Sequence, residues 1–405
     1  MEQTSNEIPI PIPNENIQKE IPLTEIEEQT RIGLLLKGKS CKKKEEEINN
    51  ETEIFENHIE LKNELTESMM KISLLLKSIP NYNLYFQPIL NVENIQYGKI
   101  TEDNIESCQT IPLKRNTNIG ELLTLKLRKY ETTWMEHVRN LSTFEKKVQT
   151  FIECWFQTMT ILKKLKEKNI IHMNIHHQNM LYSEEKGRPI LSGYNMAFVA
   201  TEYMDAESDW EKYFPNFEEH APWCIDIYLL SKLADRKEMN TTGPIESEEI
   251  VRWCEEYVNH SQSIYSRLGN IEKRQEYLKQ INSHFTTYQN PQNIQSLFEY
   301  LMKNAHTWDV YSVCNLFLET ANEMNPKLNP NTSLDQMIEI LKNFMYTMPN
   351  ARPTIEELEN SITNIYMQQP QAQNQAQNQA QNQAQNQAQN QAQNQAQNQA
   401  QNQVQ

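Results

Sequence analysis

Glycine is scarce in this chain, at 8 of 405 residues. Loops that hold phosphate groups with backbone amides depend on glycine, because a residue without Cβ lets the backbone approach the phosphate closely. No Gly-x-Gly-x-x-Gly pattern occurs, and the closest pair of glycines is Gly33 and Gly38. A glycine-rich phosphate-binding loop is therefore excluded.

Positive charge and long apolar runs are also in short supply. The chain has 38 Lys and Arg against 54 Asp and Glu, a net charge of −16, which argues against binding to nucleic acid or to an anionic membrane. No apolar run approaches the roughly 18 residues of a membrane span, and the first residues lack the basic and apolar pattern of a signal peptide. We therefore expect an intracellular, cytoplasmic protein with no nucleic acid or membrane partner.

The cysteines form no Cys-x-x-Cys pair. The six lie far apart, mostly within apolar stretches, which favours free buried thiols in a reducing compartment over disulfides or zinc ligands. They are Cys41, Cys108, Cys154, Cys224, Cys254 and Cys314.

Neither end of the chain has the composition of a packed core. Residues 1–50 are acidic and charged, and the alternation of Ile and Pro over Ile8–Pro13 prevents a helix. Residues 368–405 repeat Gln-Ala-Gln-Asn without charge, a low-complexity composition that predicts a disordered tail. The sequence therefore predicts a partly disordered N-terminal region and one folded domain over residues 51–367.

Two stretches predict long amphipathic helices. Apolar residues over Glu51–Ser78 recur mostly at steps of three and four, which is typical of one buried helix face. Ser142 and Glu145 have the Ser-x-x-Glu spacing of a capping box, and the apolar pattern behind them continues to about Lys168.

The most informative stretch follows that second helix. Short apolar runs at Ile170–Ile171 and Met180–Tyr182 flank a polar loop, and after a turn Pro189–Leu191 begins another run. This order predicts strand, loop, strand, turn and strand.

The loop in this stretch resembles the catalytic loop of protein kinases, whose pattern is His-Arg-Asp-Leu-x-x-x-Asn followed by a hairpin and Asp-Phe-Gly. His172, Ile175 and Asn179 fall in register with that pattern. Met173 and Asn174 replace its Arg and Asp, and Gly193-Tyr-Asn stands in place of Asp-Phe-Gly.

Two later motifs extend the resemblance to kinases. Asp309-Val-Tyr-Ser resembles the Asp-Val-Trp-Ser helix of the large lobe, and the sequence before and after Arg352 resembles the Asp-Pro-x-x-Arg-Pro-Thr turn. The resemblance implies that Asp309 binds the backbone of the catalytic loop and that Arg352 pairs with an acidic residue, for which Asp226 is the candidate. It also implies a structural, packed role for His172.

The resemblance implies an α+β, bilobal protein kinase-like fold. The small, sheet-containing lobe would span about 51–115, and the mainly helical large lobe about 116–367 with a helical insertion at about 227–306. The chain resembles the divergent kinases of large cytoplasmic DNA viruses. For a viral protein, the predicted location is the host cytoplasm or the virion.

The catalytic positions depart from the kinase pattern. Asn174 stands at the position of the catalytic base, and an amide cannot accept that proton near neutral pH. Gly193 offers no ligand where the metal-binding Asp belongs. Asn179 is then either a vestigial metal ligand or a cap of its loop, because one neutral oxygen is a poor Mg²⁺ site.

Two positions that should carry positive charge are also altered. His176 stands where serine/threonine kinases have a phosphate-contacting Lys, and a histidine could serve only when protonated. In the small lobe Lys37 is the candidate for the cofactor-binding lysine, with Glu67 as its helix partner.

Two function classes follow from this pattern. The first is a pseudokinase that acts as a binding or regulatory module for a protein partner. It needs no cofactor, and ATP and Mg²⁺, if they bind, are not expected to support catalysis. The second is a weak or atypical serine/threonine protein kinase that borrows a carboxylate from Asp205 or Asp209.

Overall fold

The computed structural model describes residues 41–43, 54–95, 105–107, 122–202, 210, 214, 223–238, 245–260, 263–267, 270–287, 294–324 and 332–366. Lys37, Asp205 and Asp209 lie outside these ranges. Most of the N-terminal region and the whole Gln-Ala-Gln-Asn repeat also lie outside them, so their predicted disorder stays a prediction.

The small lobe is built on a five-stranded antiparallel sheet with the strand order β3-β5-β2-β1-β4. Its two central strands pair along their full length, from Phe55 opposite Arg128 to Leu61 opposite Leu122. The strands are β1 (Cys41–Lys43), β2 (Phe55–Leu61), β3 (Asn91–Ile95), β4 (Ile105–Ser107) and β5 (Leu122–Arg128).

One helix, α1 (Glu64–Lys77), covers this sheet. Asn63 caps it: the Asn63 side chain accepts from the Thr66 amide at 3.0 Å, and the Thr66 hydroxyl accepts from the Asn63 amide at 2.9 Å. The prediction of a helix from Glu51 was wrong at its start, because the pairing of β2 with β5 takes residues 55–61 into the sheet. Only the later part of the apolar stripe lies on the helix.

The large lobe begins with α2 (Trp134–Asn140) and the long α3 (Phe144–Glu167). The predicted helix is present, but its cap is Thr143, whose side chain accepts from the Lys146 amide at 3.2 Å. Ser142 and Glu145 are therefore not the capping pair. The predicted apolar face is buried, including Phe151, Trp155, Met159, Leu162 and Leu165.

Short strands follow α3 in the predicted order. β8 (Met180–Ser183) and β9 (Arg188–Leu191) form a hairpin, extended by β6 (Thr132–Thr133), and β7 (Ile170–Ile171) pairs with β10 (Phe198–Val199). The loop between β7 and β8 is the segment with the kinase-like spacing.

Helices make up most of the rest of the large lobe. They are α4 (Ile225–Glu238), α5 (Ser247–Asn259), α6 (Ile264–Arg267), α7 (Ile271–Thr287), α8 (Ile294–Met302), α9 (Trp308–Glu323), α10 (Ser333–Met345) and α11 (355–366). The central helix is α9, which is buried along nearly its whole length.

Helices α5 to α8 belong to the predicted insertion, and they are packed into the large lobe. The Tyr257 and Tyr311 hydroxyls lie 3.0 Å apart, and the Tyr265 hydroxyl donates to the Met345 carbonyl at 2.9 Å. The insertion therefore shares a core with α9 and α10.

The predicted fold class is confirmed: the chain is α+β and bilobal, with a small sheet-containing lobe and a mainly helical lobe. In the part of the chain that the structure describes, no helix is both long and apolar enough to cross a membrane.

Candidate functional site

Asp309, at the start of α9, binds the backbone of the loop between β7 and β8. Its Oδ2 accepts from the His172 amide at 2.8 Å and its Oδ1 from the Met173 amide at 2.9 Å. Burial raises the pKa of Asp309 to about 6, although the two amide donors act in the opposite direction. The contact that the resemblance implied for Asp309 is present.

Met173 fixes the turn of the backbone within this loop. It has a φ of 61° and a fully buried side chain. Its amide is bound by Asp309, and its carbonyl accepts from the Trp223 indole at 2.8 Å. A left-handed conformation is costly for a residue with Cβ, and these two bonds hold it in place.

His172 is a packed core histidine, as the resemblance implied. Its Nδ1 accepts from the Asn174 amide at 3.2 Å, and its Nε2 therefore carries the proton and donates to the Ser192 carbonyl at 2.9 Å. Burial lowers the pKa of His172 to about 3. The imidazole is neutral at pH 7 and joins the loop to the segment before Gly193.

Asn174 places an amide at the position of the catalytic base. The residue is 1% exposed, and its Nδ2 donates to Asn195 Oδ1 at 3.4 Å. A carboxamide has no basic atom near neutral pH, so this contact is one between two neutral amides. The position can orient a neighbour but cannot take a proton.

Gly193 and Asn179 fit against each other where the kinase pattern has two metal ligands. Gly193 has a φ of 77°, and a Cβ built on it would overlap the Cγ, Oδ1 and Nδ2 atoms of Asn179. The Asn179 Nδ2 in turn donates to the Asn174 carbonyl at 2.8 Å. The Asn179 carboxamide thus fills the volume that a side chain at position 193 would need.

His176 also belongs to this packed group. Its Nε2 lies 3.1 Å from Asn179 Nδ2, and its Nδ1 accepts from the Gln178 amide at 3.3 Å. Burial, and to a smaller extent the neighbouring His177, lowers the pKa of His176 to about 4. At pH 7 the imidazole is neutral, so it does not supply a cation for a phosphate.

The donor set does not fit a magnesium–nucleotide group. Mg²⁺ in nucleotide sites is held by one or two carboxylates besides the phosphates, and residues 172–179 and 192–196 contain no acidic side chain. The Asn179 oxygen is the single side-chain ligand that the kinase pattern supplies here. Among the described residues no group of three or more His, Cys, Asp and Glu side chains has the arrangement of a metal site.

The small lobe lacks a lysine on the strand that leads into α1. Strand β2 reads Phe-Glu-Asn-His-Ile-Glu-Leu. Opposite His58 lies Leu125, which packs with Met69 and Met70 of α1, so His58 is on the helix-facing side of the sheet. Its Nε2 lies 3.2 Å from Glu56 Oε1.

The lysine predicted for this lobe cannot be placed. Lys37 lies outside the described residues, so its pairing with Glu67 stays a prediction, and Glu67 itself is exposed. The pair of Glu56 and His58 was missed by sequence reasoning. The sequence signal for this position is that β2 ends two residues before Asn63, the capping residue of α1.

Asp226 and Arg352 form the ion pair that the resemblance implied. Asp226 Oδ2 and Arg352 Nη2 lie 2.7 Å apart with both side chains fully buried. Their alignment is not that of a hydrogen bond, so the attraction is mainly one of charge. Burial acts to lower the pKa of Arg352, but the Asp226 carboxylate raises it well above its usual value.

Arg352 has two further contacts that hold it in place. Its Nη1 donates to Thr307 Oγ1 at 3.3 Å, and its guanidinium lies 5.5 Å from the Tyr311 ring centroid. These contacts connect the end of the domain to the first turn of α9, which carries Asp309.

The contacts of Asp309 and of the Asp226–Arg352 pair are those that the resemblance to protein kinases implied. No family model matches the chain, and no curated protein matches it in sequence. The structure is similar to that of the kinase PK-1 of Cydia pomonella granulovirus, with 13% identity over 68% of this chain and 98% of that chain, and a TM-score of 0.29. No activity or residue role is carried over from that kinase.

Proposed function

We propose that this chain is a pseudokinase: a kinase-like fold that acts as a binding or regulatory module for a protein partner and does not transfer phosphate. The observation that carries this proposal is the contact between Gly193 and Asn179. A Cβ at position 193 would overlap the Asn179 side chain, so a metal-binding side chain at that position would require Asn179 to move.

The hydrogen bonds of Asn179 support the same conclusion. Its Nδ2 donates to the Asn174 carbonyl, and the His176 ring lies beside it. To bind a metal together with a carboxylate at position 193, Asn179 would have to move and break the bond to its own loop. The amide therefore serves to cap the loop.

The charges of the site point the same way. Phosphoryl transfer depends on positive charge against the phosphates and on a carboxylate that orients the attacking hydroxyl. Asn174 is uncharged, His176 is neutral at pH 7, and β2 carries no lysine. The loop keeps its shape without the charges that would act on a substrate.

The supporting frame, by which we mean Asp309 and the Asp226–Arg352 pair, is present as in the kinase pattern, and this supports a binding role. Asp309 and Arg352 are buried and charged; Asp309 binds the amides of the loop, and Arg352 is paired with Asp226. A module that acts through its surface needs this frame and not the reactive groups. The partner class that we propose is a protein, because the net charge of −16 disfavours nucleic acid and anionic lipid.

Thermal unfolding with ATP and Mg²⁺ tests whether the chain binds the nucleotide and the metal ion that a kinase needs. A ligand at about 100 times its dissociation constant would stabilise the fold by about 2.7 kcal/mol. We expect no stabilisation by millimolar ATP that depends on Mg²⁺, with Mg²⁺ alone and ATP with EDTA as controls. Stabilisation that requires both would contradict the proposal.

The alternative, a weak kinase that borrows Asp205 or Asp209, makes a different prediction in the same experiment. For such a kinase, the stabilisation by ATP and Mg²⁺ would be smaller in Asp205→Asn or Asp209→Asn than in the parent. For a pseudokinase, the parent and both variants would have the same melting temperature, and ATP with Mg²⁺ would not change it.

A further inference from the structure

A cavity of about 140 Å³ lies in the large lobe, next to β7 and the end of α3. Its walls come from the end of α3, from β7, from the residues between α8 and α9, and from the start of α11. None of the residues discussed as catalytic positions lines it. It adjoins the site described above through Asp309, which anchors the loop and also lines the cavity.

The inner wall of this cavity is apolar. Leu165, Ile170, Met302 and Ile355 line it, and each is at most 4% exposed. In another protein, an apolar cavity of about 150 Å³ takes up a benzene-sized molecule. The volume here suits an apolar body of about six carbon atoms.

The mouth of the cavity is positively charged. Its charge comes from Lys166 and Lys303, which are both exposed. His306 also lines it, but desolvation lowers the pKa of His306, so this imidazole is neutral at pH 7. Lys166 Nζ lies 3.2 Å from Glu356 Oε2 and is partly neutralised. The Lys303 ammonium has no ion-pair partner among the residues that the structure describes.

Asp309 also lines the cavity, at its inner end, and it determines the orientation of a ligand. Both of its oxygens are bound by the loop amides, so they are not free to bind a cation. An anionic group beside this carboxylate would be repelled. An anion can therefore lie only at the mouth, with the apolar part directed inward.

We propose that this cavity binds a small organic monoanion, a carboxylate on a short apolar or aromatic body, with the carboxylate at Lys303 and the body against Leu165, Met302 and Ile355. The proposal is independent of whether the chain is a pseudokinase, because the cavity lies outside the catalytic positions.

Titration calorimetry of the full chain with benzoate and with its neutral analogue benzamide tests this proposal. We expect millimolar binding of benzoate and weaker binding of benzamide. Lys303→Gln should weaken benzoate binding about two- to fivefold, the range of an exposed ion pair, and should leave benzamide unchanged. The matched control is Lys279→Gln, an exposed lysine on α7 that does not line the cavity.

Two further measurements locate the site. The methyl resonance of Met302 should shift with benzoate in methionine-labelled protein. Ala305→Leu fills the cavity and should abolish binding of both compounds; if that variant does not fold, Lys303→Gln still decides. Equal binding of benzoate and benzamide, an unmoved Met302 methyl, or equal effects of Lys303→Gln and Lys279→Gln would each overturn the proposal.

Discussion

Two adjoining regions of the large lobe differ in whether their buried polar side chains carry a charge. In the supporting frame, Asp309 and the Asp226–Arg352 pair are buried, and each charge has its partners. In the catalytic-type loop just above, Asn174, Asn179 and His176 are all neutral. Charged side chains are therefore present at the positions that stabilise the fold and absent from the positions that would act on a phosphate.

This difference shows that the shape of the loop and its reactivity are separable. The loop shape comes from backbone amides bound to Asp309 and from the buried, neutral His172. None of these contacts needs a base or a metal ligand at positions 174 and 193. Variants of the two regions should therefore differ in kind: frame variants lose stability, and loop variants change mainly local packing.

The largest loss of stability is expected for Arg352→Met in the frame. Removal of the guanidinium leaves the Asp226 carboxylate buried without its partner, which costs about 3–5 kcal/mol. Urea unfolding measures this cost. Arg352→Met with Asp226→Leu should recover most of it, and Lys342→Met, which removes an exposed partner of Glu339, should cost less than about 1 kcal/mol. Equal costs for Arg352→Met and Lys342→Met would refute the frame role.

A smaller loss is expected for Asp309→Ala. It leaves the His172 and Met173 amides buried without an acceptor, at about 1–3 kcal/mol for each donor, while removal of a buried carboxylate offsets part of this. Amide hydrogen exchange at these two positions should accelerate. If the variant melts like the parent and both amides stay protected, Asp309 does not anchor the loop.

Gly193→Ala probes the packing of the loop itself. The left-handed φ costs a residue with Cβ about 1–3 kcal/mol, and overlap with Asn179 adds to this. Gly187→Ala is the matched control, since Gly187 has a φ of 60° and nothing within 4 Å of its Cβ position. Gly193→Ala should be the more destabilising of the two in urea unfolding.

Removal of the Asn179 side chain should relieve that difference. We expect Gly193→Ala combined with Asn179→Ala to cost less than the sum of the single variants, because the overlap is then absent. Strict additivity would show that the two residues do not share this space.

The smallest effect concerns His176 and appears only in acid. Its folded-state pKa of about 4 lies below the unfolded value of about 6.5, so the neutral imidazole contributes stability that is complete above pH 6.5 and is lost as the pH falls toward 4. At pH 5 the loss is about 2 kcal/mol. His176→Gln should unfold with a shallower decline in stability between pH 7 and pH 5 than the parent.

The control for that experiment is His177→Gln, an exposed histidine on the same loop. It should leave the pH dependence nearly unchanged. A parent-like slope for His176→Gln would mean that His176 is not held neutral by burial.

Sequence reasoning predicted the frame well, because its motifs act through fixed spacing. The contacts of Asp309, and of Arg352 with Asp226, were implied by the resemblance of short motifs to those of kinases, and they join residues more than 120 positions apart. The start of α1 was wrong, because apolar residues in β2 recur closely enough to resemble a helical stripe. Pairing with β5, a partner more than 60 residues away, decides that segment.

The resemblance to kinases implied that Gly193 and Asn179 lie close together, but the overlap between a Cβ at position 193 and the Asn179 side chain could not be predicted from the sequence. The residues are 14 positions apart, and their approach depends on the hairpin of β8 and β9 that returns the chain to the loop. An unperturbed imidazole is already mostly neutral at pH 7, but the burial that lowers the pKa of His176 to about 4 was not indicated by its position in a polar loop. The predicted end of the small lobe at about 115 is too early, because β5 (Leu122–Arg128) pairs with β2 in the sheet of that lobe. The other domain boundaries and the role of Lys37 stay predictions.

The central claim is that a loop with a kinase-like shape but without carboxylates does not transfer phosphate. The most direct test incubates the purified chain with γ-labelled ATP and either Mg²⁺ or Mn²⁺, alone and with generic protein substrates. The account predicts no incorporation above that of heat-denatured protein. Incorporation that survives repurification and disappears in Asn179→Ala would contradict it, since Asn179 would then serve as a metal ligand.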